Sequence, residues 1–242
     1  MKLISIIGAP RSGTTYIAQH TAKILDVNLL PEAQWIISMI QDREFNEYTR
    51  ENWASVIEAL SASRHRFSRQ QVIEIVLAYE KNNGLPLSSA FVEHTPQNVL
   101  YFEKISNKVE FDHIIAPIRH PWLSISSLAA QKWFLGSVFG AAMFNFRCLF
   151  NLYLYRSRIE FIDIRDNEEV IINKLQSIMG QSMGSGEYSG SNMILAIKGL
   201  KESHEYLTTR PKKTKIKVGL LVKLFSIPSL FLYYLLLREI DD

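Results

Sequence analysis

Gly8-Ala9-Pro10-Arg11-Ser12-Gly13-Thr14-Thr15 decides how this chain folds. It follows an apolar run, Leu3-Ile4-Ser5-Ile6-Ile7, and opens into a helical pattern from Thr14 to Leu25. Strand, glycine-bearing loop and helix in that order make a phosphate cradle, because the loop N–H groups and the helix N-terminus converge on an anion. A nucleoside-triphosphatase loop carries a lysine just before its final hydroxyl residue. Thr14 stands there instead, and the cation moves to Arg11 inside the loop. The stretch predicts an anion site neutralised by arginine. The plain alternative is a tight Gly/Pro turn that binds nothing.

Outward from the loop, strand-like and helix-like segments alternate, which predicts an α/β fold of the P-loop type, a parallel sheet flanked by helices. Strands are expected at 2–7, 27–30, 89–93, 111–118 and 159–164. Helices are expected near 14–25, 33–41, 51–61, 68–82, 97–104, 121–133, 138–157, 167–179 and 193–207. Specificity loops in the 34–88 region carry Trp35, Trp53, Arg64, His65, Arg66 and Phe67, which either line a pocket or pack and solvate a helical insert. Gly180 to Asn192, rich in Gly and Ser, is either a plain connection or a substrate lid.

With 242 residues, 47% hydrophobic and 21% charged, the chain suits one globular domain. The expected division is 1–208 for the α/β domain and 209–242 for a basic, then apolar, C-terminal tail. The net charge of +3 is local: Arg210, Lys212, Lys213, Lys215 and Lys217 cluster with no acid among them, and the remainder is slightly acidic. That distribution excludes a broad nucleic-acid surface. The single cysteine, Cys148, lies between bulky apolar residues and reads as an inert packed thiol. The strand and loop begin almost at Met1 with no leader-like segment, so a cytoplasmic location is expected. The six histidines are dispersed, and no cluster with metal-ligand spacing is present.

Pro10-Arg11-Ser12-Gly13-Thr14-Thr15 resembles the 5′-phosphosulfate loop of sulfotransferases that use 3′-phosphoadenosine-5′-phosphosulfate (PAPS). Its wording is similar to the branch with tyrosylprotein and bacterial lipid and glycan sulfotransferases. The resemblance spans roughly residues 3–180. It implies that Pro10, Arg11, Ser12, Gly13, Thr14 and Thr15 hold the donor's 5′-phosphosulfate, with Arg11 also neutralising the reacting group. Arg119-His120-Pro121, with Ser127 eight residues beyond Arg119, resembles the family's 3′-phosphate motif. Arg119 would act as a fork donor and the Ser127 hydroxyl would assist. His120 replaces the usual aspartate of that turn.

Glu32 follows Val27-Asn28-Leu29-Leu30-Pro31, at the expected carboxyl end of a strand, where open α/β sheets bind ligands. Such a carboxylate can take the proton of an acceptor hydroxyl, and Glu32 matches the family's catalytic glutamate in position. The alternative is an acid in the first turn of a helix. Glu93-His94-Thr95-Pro96 resembles the family's Glu-Lys-Thr-Pro string, with His94 in place of lysine. His94 either assists at the reacting centre or replaces Glu32 as base, while Thr95 and Pro96 suit a helix start. Phe161-Ile162-Asp163-Ile164 stands where the family has a later strand and reads as core.

The tail from 218 to 237 is nearly long enough to span a bilayer, but Lys223 and Pro228 interrupt it. It lies in a membrane interface, packs on the core or a partner, or spans. These observations predict sulfuryl transfer from PAPS to a hydroxyl of a lipid, glycan or small-molecule acceptor, without a metal. A divergent P-loop kinase using ATP and a non-catalytic nucleotide-binding membrane adaptor are the rivals. Oligomeric state is left open.

Overall fold

Apolar residues alternate between the two faces of a four-stranded sheet in a computed structural model that describes residues 1–63, 67–131, 134, 136–180 and 219–241. The strands are β1 (Lys2–Ile6), β2 (Ala90–Glu93), β3 (His113–Ile118) and β4 (Glu160–Asp163), in the order β2-β1-β3-β4 and all parallel. Ile4, Ile6, Val92, Ile115 and Ile162 face one layer, which holds helices α1 (Thr14–Leu25) and α9 (Glu168–Ile178). Leu3 and Phe91 face the opposite layer, in a cluster with α2 (Trp35–Ile40) and α5 (Arg69–Asn82). Ile114, Ala116, Ile118 and Phe161 lie on that face too, against α8 (Val138–Leu154). Cover on both faces explains why the strands read as near-continuous apolar runs.

The expected strand at 27–30 is not in the sheet. The Asn28 side-chain amide donates to Glu80 Oε1 at 2.9 Å, to the Pro86 carbonyl at 2.7 Å and to Ser88 Oγ at 3.1 Å. These bonds tie the segment sideways to the end of α5 and the lead into β2, so its buried Leu29 and Leu30 pack without joining a ladder. The helix expected over 51–61 is broken into α3 (Glu47–Asn52), a 3-10 turn (Ala54–Val56) and α4 (Ile57–Ala62). Asn46 caps α3, accepting from the Thr49 amide at 2.9 Å. Trp35 and Trp53 are fully buried, edge to face with centroids 5.5 Å apart, so these two insert aromatics are core. Phe67 joins the same cluster, while residues 64–66 lie outside the described residues.

A 3-10 helix (Pro96–Tyr101) and α6 (Phe102–Ser106) occupy the helix expected near 97–104, and α7 (Pro121–Ala129) follows β3. The helix expected at 193–207, the basic run 210–217 and nearly all of the Gly/Ser-rich stretch lie outside the described residues. Cys148 is fully buried and its burial pushes the thiol pKa up, in keeping with an inert thiol.

The apolar tail forms two helices, Leu220–Phe225 and Ile227–Asp241. The break falls at Ser226, and Pro228 sits in the first turn of the second helix, where its missing N–H costs no intrahelical bond. Leu232, Tyr233 and Leu236 bury themselves against α8 and the sheet. Among the described residues no helix is long and apolar enough to cross a membrane. One side of the tail is therefore core, which is the packing alternative among the three readings of this segment.

Candidate functional site

The strand order fixes where a ligand sits. The chain leaves β1 toward β2 on one side, then crosses to β3 on the other, so the order reverses between β1 and β3. Crevices outside the carboxyl ends of strands at such a reversal are where open α/β sheets bind ligands. Pro117 helps to open this one. The Ile7 amide donates to the Ile115 carbonyl at 3.0 Å, so Ile115 faces β1, and so does the residue two further on. That residue is Pro117, which has no N–H to donate. The β1–β3 ladder ends at Ile6 opposite Ile115, whereas β3–β4 runs on to Ile118 opposite Asp163.

The loop of Gly8 to Thr15 fills the opening. Arg11 has φ 71° and Gly13 φ 108°, with Ser12 between them. Left-handed residues flanking another conformation turn successive N–H groups toward one concavity. Gly13 caps α1 without a side-chain hydrogen bond, so the amides of the first helical turn are open to a ligand. Gly8 lies close to the loop: a Cβ there would stand 2.8 Å from Ser12 Oγ and push that hydroxyl aside. Ser12 and Pro10 are buried, Thr14 is buried, and Thr15 is exposed. Ser12 Oγ is buried without a partner. Native structures pair such groups, so an orphan beside an open loop points to a ligand.

Two arginines from adjacent strand ends meet at this loop. Arg119, just beyond β3, donates from Nη1 to the Arg11 carbonyl at 2.8 Å. Arg11 donates from Nε to Ser127 Oγ at 3.0 Å. The structure thus joins Arg11, Arg119 and Ser127 across more than a hundred residues of chain. Neither arginine has a carboxylate partner among the described residues. Burial, and then the neighbouring Arg11 charge, lower the Arg119 pKa. Two cations held side by side without an acid form a site for a multiply charged anion. The contact of Arg11 with Ser127 is one that the sequence reading, which set Ser127 beside Arg119, did not name.

The third turn lies against the loop, since the Gly8 amide donates to the Pro96 carbonyl at 3.3 Å. Glu93, at the tip of β2, is fully buried. It accepts from Ser5 Oγ at 3.2 Å, from the Thr95 amide at 2.7 Å and from Asn98 Nδ2 at 2.7 Å. Burial raises its pKa to about 7, against these hydrogen bonds and with help from the Glu32 charge. His94 is buried too, its Nδ1 has no partner, and burial depresses its pKa to about 4. The imidazole is therefore neutral at neutral pH. It can offer a hydrogen bond but not the charge of the lysine it replaces.

Glu32 accepts from Gln34 Nε2 at 3.0 Å, and burial raises its pKa. It precedes α2, whose first turn holds no acid, so the helix-dipole alternative does not hold. Its main chain is gripped by the insert: its amide donates to the Tyr48 hydroxyl at 3.2 Å and its carbonyl accepts from Trp53 Nε1 at 3.1 Å. Tyr48 lies near both Glu32 and Glu93, whose charges add to burial in raising the phenol pKa. No hydrogen bond or ion pair joins Glu32 to Arg11, Arg119 or His94. Glu93, Asn98 and Tyr48 are the site neighbours that sequence reasoning did not single out. Phe161 and Ile162 are buried, as expected of core.

Among the described residues no group of three or more His, Cys, Asp or Glu could hold a metal ion. No protein-family model and no curated protein matches the sequence. A solved structure does. The sulfotransferase domain of the olefin synthase from Synechococcus PCC 7002 superposes with a TM-score of 0.52 over 93% of this chain and 93% of that one, at 16% identity. The fold is a sulfotransferase fold. At that identity the likeness is one of architecture. The sulfotransferase fold accounts for the parallel sheet, the loop after β1 and the flanking helices together.

Proposed function

We propose that the chain is a sulfotransferase that moves a sulfuryl group from PAPS to a hydroxyl on a lipid, glycan or small-molecule acceptor. The observation that carries this is the pair of unpaired arginines, Arg11 and Arg119, joined at the β1–β3 opening. PAPS carries phosphate at the 3′ position and phosphosulfate at the 5′ position of one ribose, so two neighbouring cationic grips suit it. The residues fit it: a loop with left-handed Arg11 and Gly13, an orphaned Ser12 hydroxyl, an uncapped α1 and two cations without acids.

In this reading the amides and hydroxyls of Ser12, Gly13, Thr14 and Thr15 hold the 5′ end, and Pro10 sets the turn. Arg119 and Ser127 hold the 3′-phosphate, and Arg11 balances charge between the two. Bound PAPS would supply an activated sulfuryl group, and the chain would supply position and electrostatics. Glu32, with its raised pKa, is the base that takes the acceptor's proton. Neutral His94 donates or accepts a hydrogen bond through its unpartnered Nδ1. A depressed pKa weakens a proton acceptor, which favours Glu32 over His94 as base.

Calorimetric titration tests the reading, with adenosine 3′,5′-bisphosphate in one arm and ATP with Mg²⁺ in the other. Binding of the bisphosphate in preference to ATP is expected. Preference for ATP would move the chain to the kinase class, and affinity for neither would remove the nucleotide site altogether.

A further inference from the structure

Helix α8 carries apolar residues on both its inward and outward sides, and the outward side, interrupted by Arg147, is uncovered among the described residues. The inward side of α8 (Ala141, Ala142, Cys148, Leu149 and Leu152) is buried. Its outward side repeats Phe139, Met143, Phe150 and Leu154 at helical spacing, and all four are exposed. An apolar helix side normally faces protein or lipid. The tail extends this surface. Leu220, at 72% exposure, Leu221, Leu224 and Phe231, at 66%, point away from the core that Leu232, Tyr233 and Leu236 enter. The two elements make one continuous patch: α8 contacts both tail helices, and the Phe139 and Phe225 rings stand 5.3 Å apart. Soluble monomers rarely leave such a patch bare.

Charge selects what covers it. The charged residues of 138–154 and 219–237 are Arg147 and Lys223, both cations and both exposed, and the last turn of the second tail helix adds Arg238, Glu239 and Asp241, with Glu239 paired to Arg156 at 2.9 Å. Lys223 lies 5.5 Å from the Trp122 ring centroid, so its stem runs along the apolar surface. The chain enters the first tail helix directly from Arg210, Lys212, Lys213, Lys215 and Lys217, and no Asp or Glu occurs from 206 to 237. A second copy packed on the same face would set cation against cation. A bilayer with acidic headgroups meets both features at once: acyl chains take the apolar residues and headgroups take the cations.

We infer that the outer face of α8 and the two tail helices docks on an anionic lipid surface, lying on the bilayer without crossing it. The buried side of the same tail reaches the donor-side turn, where the Tyr233 ring stands 5.2 Å from the His120 ring. Docking therefore sets the candidate site within one helix thickness of the lipid.

The test uses the full chain and no nucleotide, so its failure leaves the proposed chemistry untouched. Co-sedimentation is measured with vesicles of phosphatidylcholine alone and of phosphatidylcholine mixed with phosphatidylglycerol. Binding to the mixed vesicles only, weakened by salt, is expected. The double variant Leu220→Ser/Phe231→Ser should lose most of the binding. Arg147→Gln and Lys223→Gln should each lower the partition constant about fivefold. Unchanged thermal melts of these surface variants would show that they fold. Three results overturn the inference: no binding to the mixed vesicles at low salt, equal binding to both vesicle types, or a dimer in sedimentation velocity that Leu220→Ser/Phe231→Ser converts to monomer.

Discussion

Replacing Arg119 with alanine separates a ligand-binding arginine from a structural one. Its only hydrogen bond among the described residues is the one from Nη1 to the Arg11 carbonyl at 2.8 Å. Losing that bond costs about 1 kcal/mol, the usual net worth of an intramolecular hydrogen bond. Removing a half-buried cation from beside Arg11 offsets part of that cost, since both burial and Arg11 disfavour its charge. The free protein should melt within a few degrees of wild type. Nucleotide binding should behave differently. Hydrogen bonds to charged groups are worth about 1.5–3 kcal/mol each, so losing a forked contact with phosphate costs about 3 kcal/mol. That is roughly 150-fold in Kd for adenosine 3′,5′-bisphosphate. Arg119→Lys keeps the charge but loses the fork, and should fall between, at about tenfold. Calorimetry and thermal melting on the same preparations read both quantities. An Arg119→Ala protein that binds within about threefold of wild type, less than 1 kcal/mol, and melts far lower would refute the reasoning. Arg119 would then be a strut for the loop.

Glu32→Gln should lower turnover by at least about 100-fold, the usual contribution of a positioned base, while leaving adenosine bisphosphate affinity unchanged by calorimetry. Glu93 carries a pH dependence: with its pKa at about 7 folded and 4.5 in an unperturbed carboxyl, the native state holds a proton that the unfolded chain has released. Its contribution to stability is therefore full below 4.5 and is lost as pH rises through 7, which denaturant titrations at several pH values would detect. In Glu93→Gln that slope should vanish because the amide does not titrate, and the unpartnered Asn98 Oδ1 can turn to accept from the new amide and keep the cluster satisfied. Gly13→Ala should abolish nucleotide binding and cost about 1–2 kcal/mol in denaturant melts, since φ is 108° and the new methyl would lie 3.4 Å from Ile164 Cγ2.

The loop after β1 and the turn after β3 were legible in sequence because local rules govern them. A glycine loop after a buried strand and an arginine before a helix-starting proline are each specified within about a dozen residues. Helix α1 accordingly spans the expected residues, Thr14–Leu25. The surroundings of Glu32 were not. Asn28 prefers three side-on partners to a ladder, and those partners come from residues 80 to 88. Tyr48 reaches Glu32 only because Trp35 and Trp53 pull the insert into the core. Glu93 looked like part of a motif, yet its proton affinity depends on Ser5, Asn98 and Glu32, which no spacing rule connects. The tail stayed open between three readings for a related reason. Apolar residues on two sides look alike in sequence, whether both meet lipid or one meets the sheet.

Pro117 shows how one residue can serve fold and site together. A proline inside a four-stranded sheet is costly, because it removes a ladder hydrogen bond where pairing is otherwise complete. Here the missing donor faces β1, on the side where the strand order reverses. The β3–β4 side of the same strand keeps its pairs to Ile118, so β3 stays anchored while β1 is free to turn away into the loop at Gly8. A residue able to donate there could extend the ladder and narrow the opening between the turns that bear Arg11 and Arg119. The expected result for Pro117→Val is a more stable protein in denaturant melts with weaker adenosine bisphosphate affinity. Equal affinity at higher stability would mean that the loop, not the ladder, sets the spacing of the two arginines.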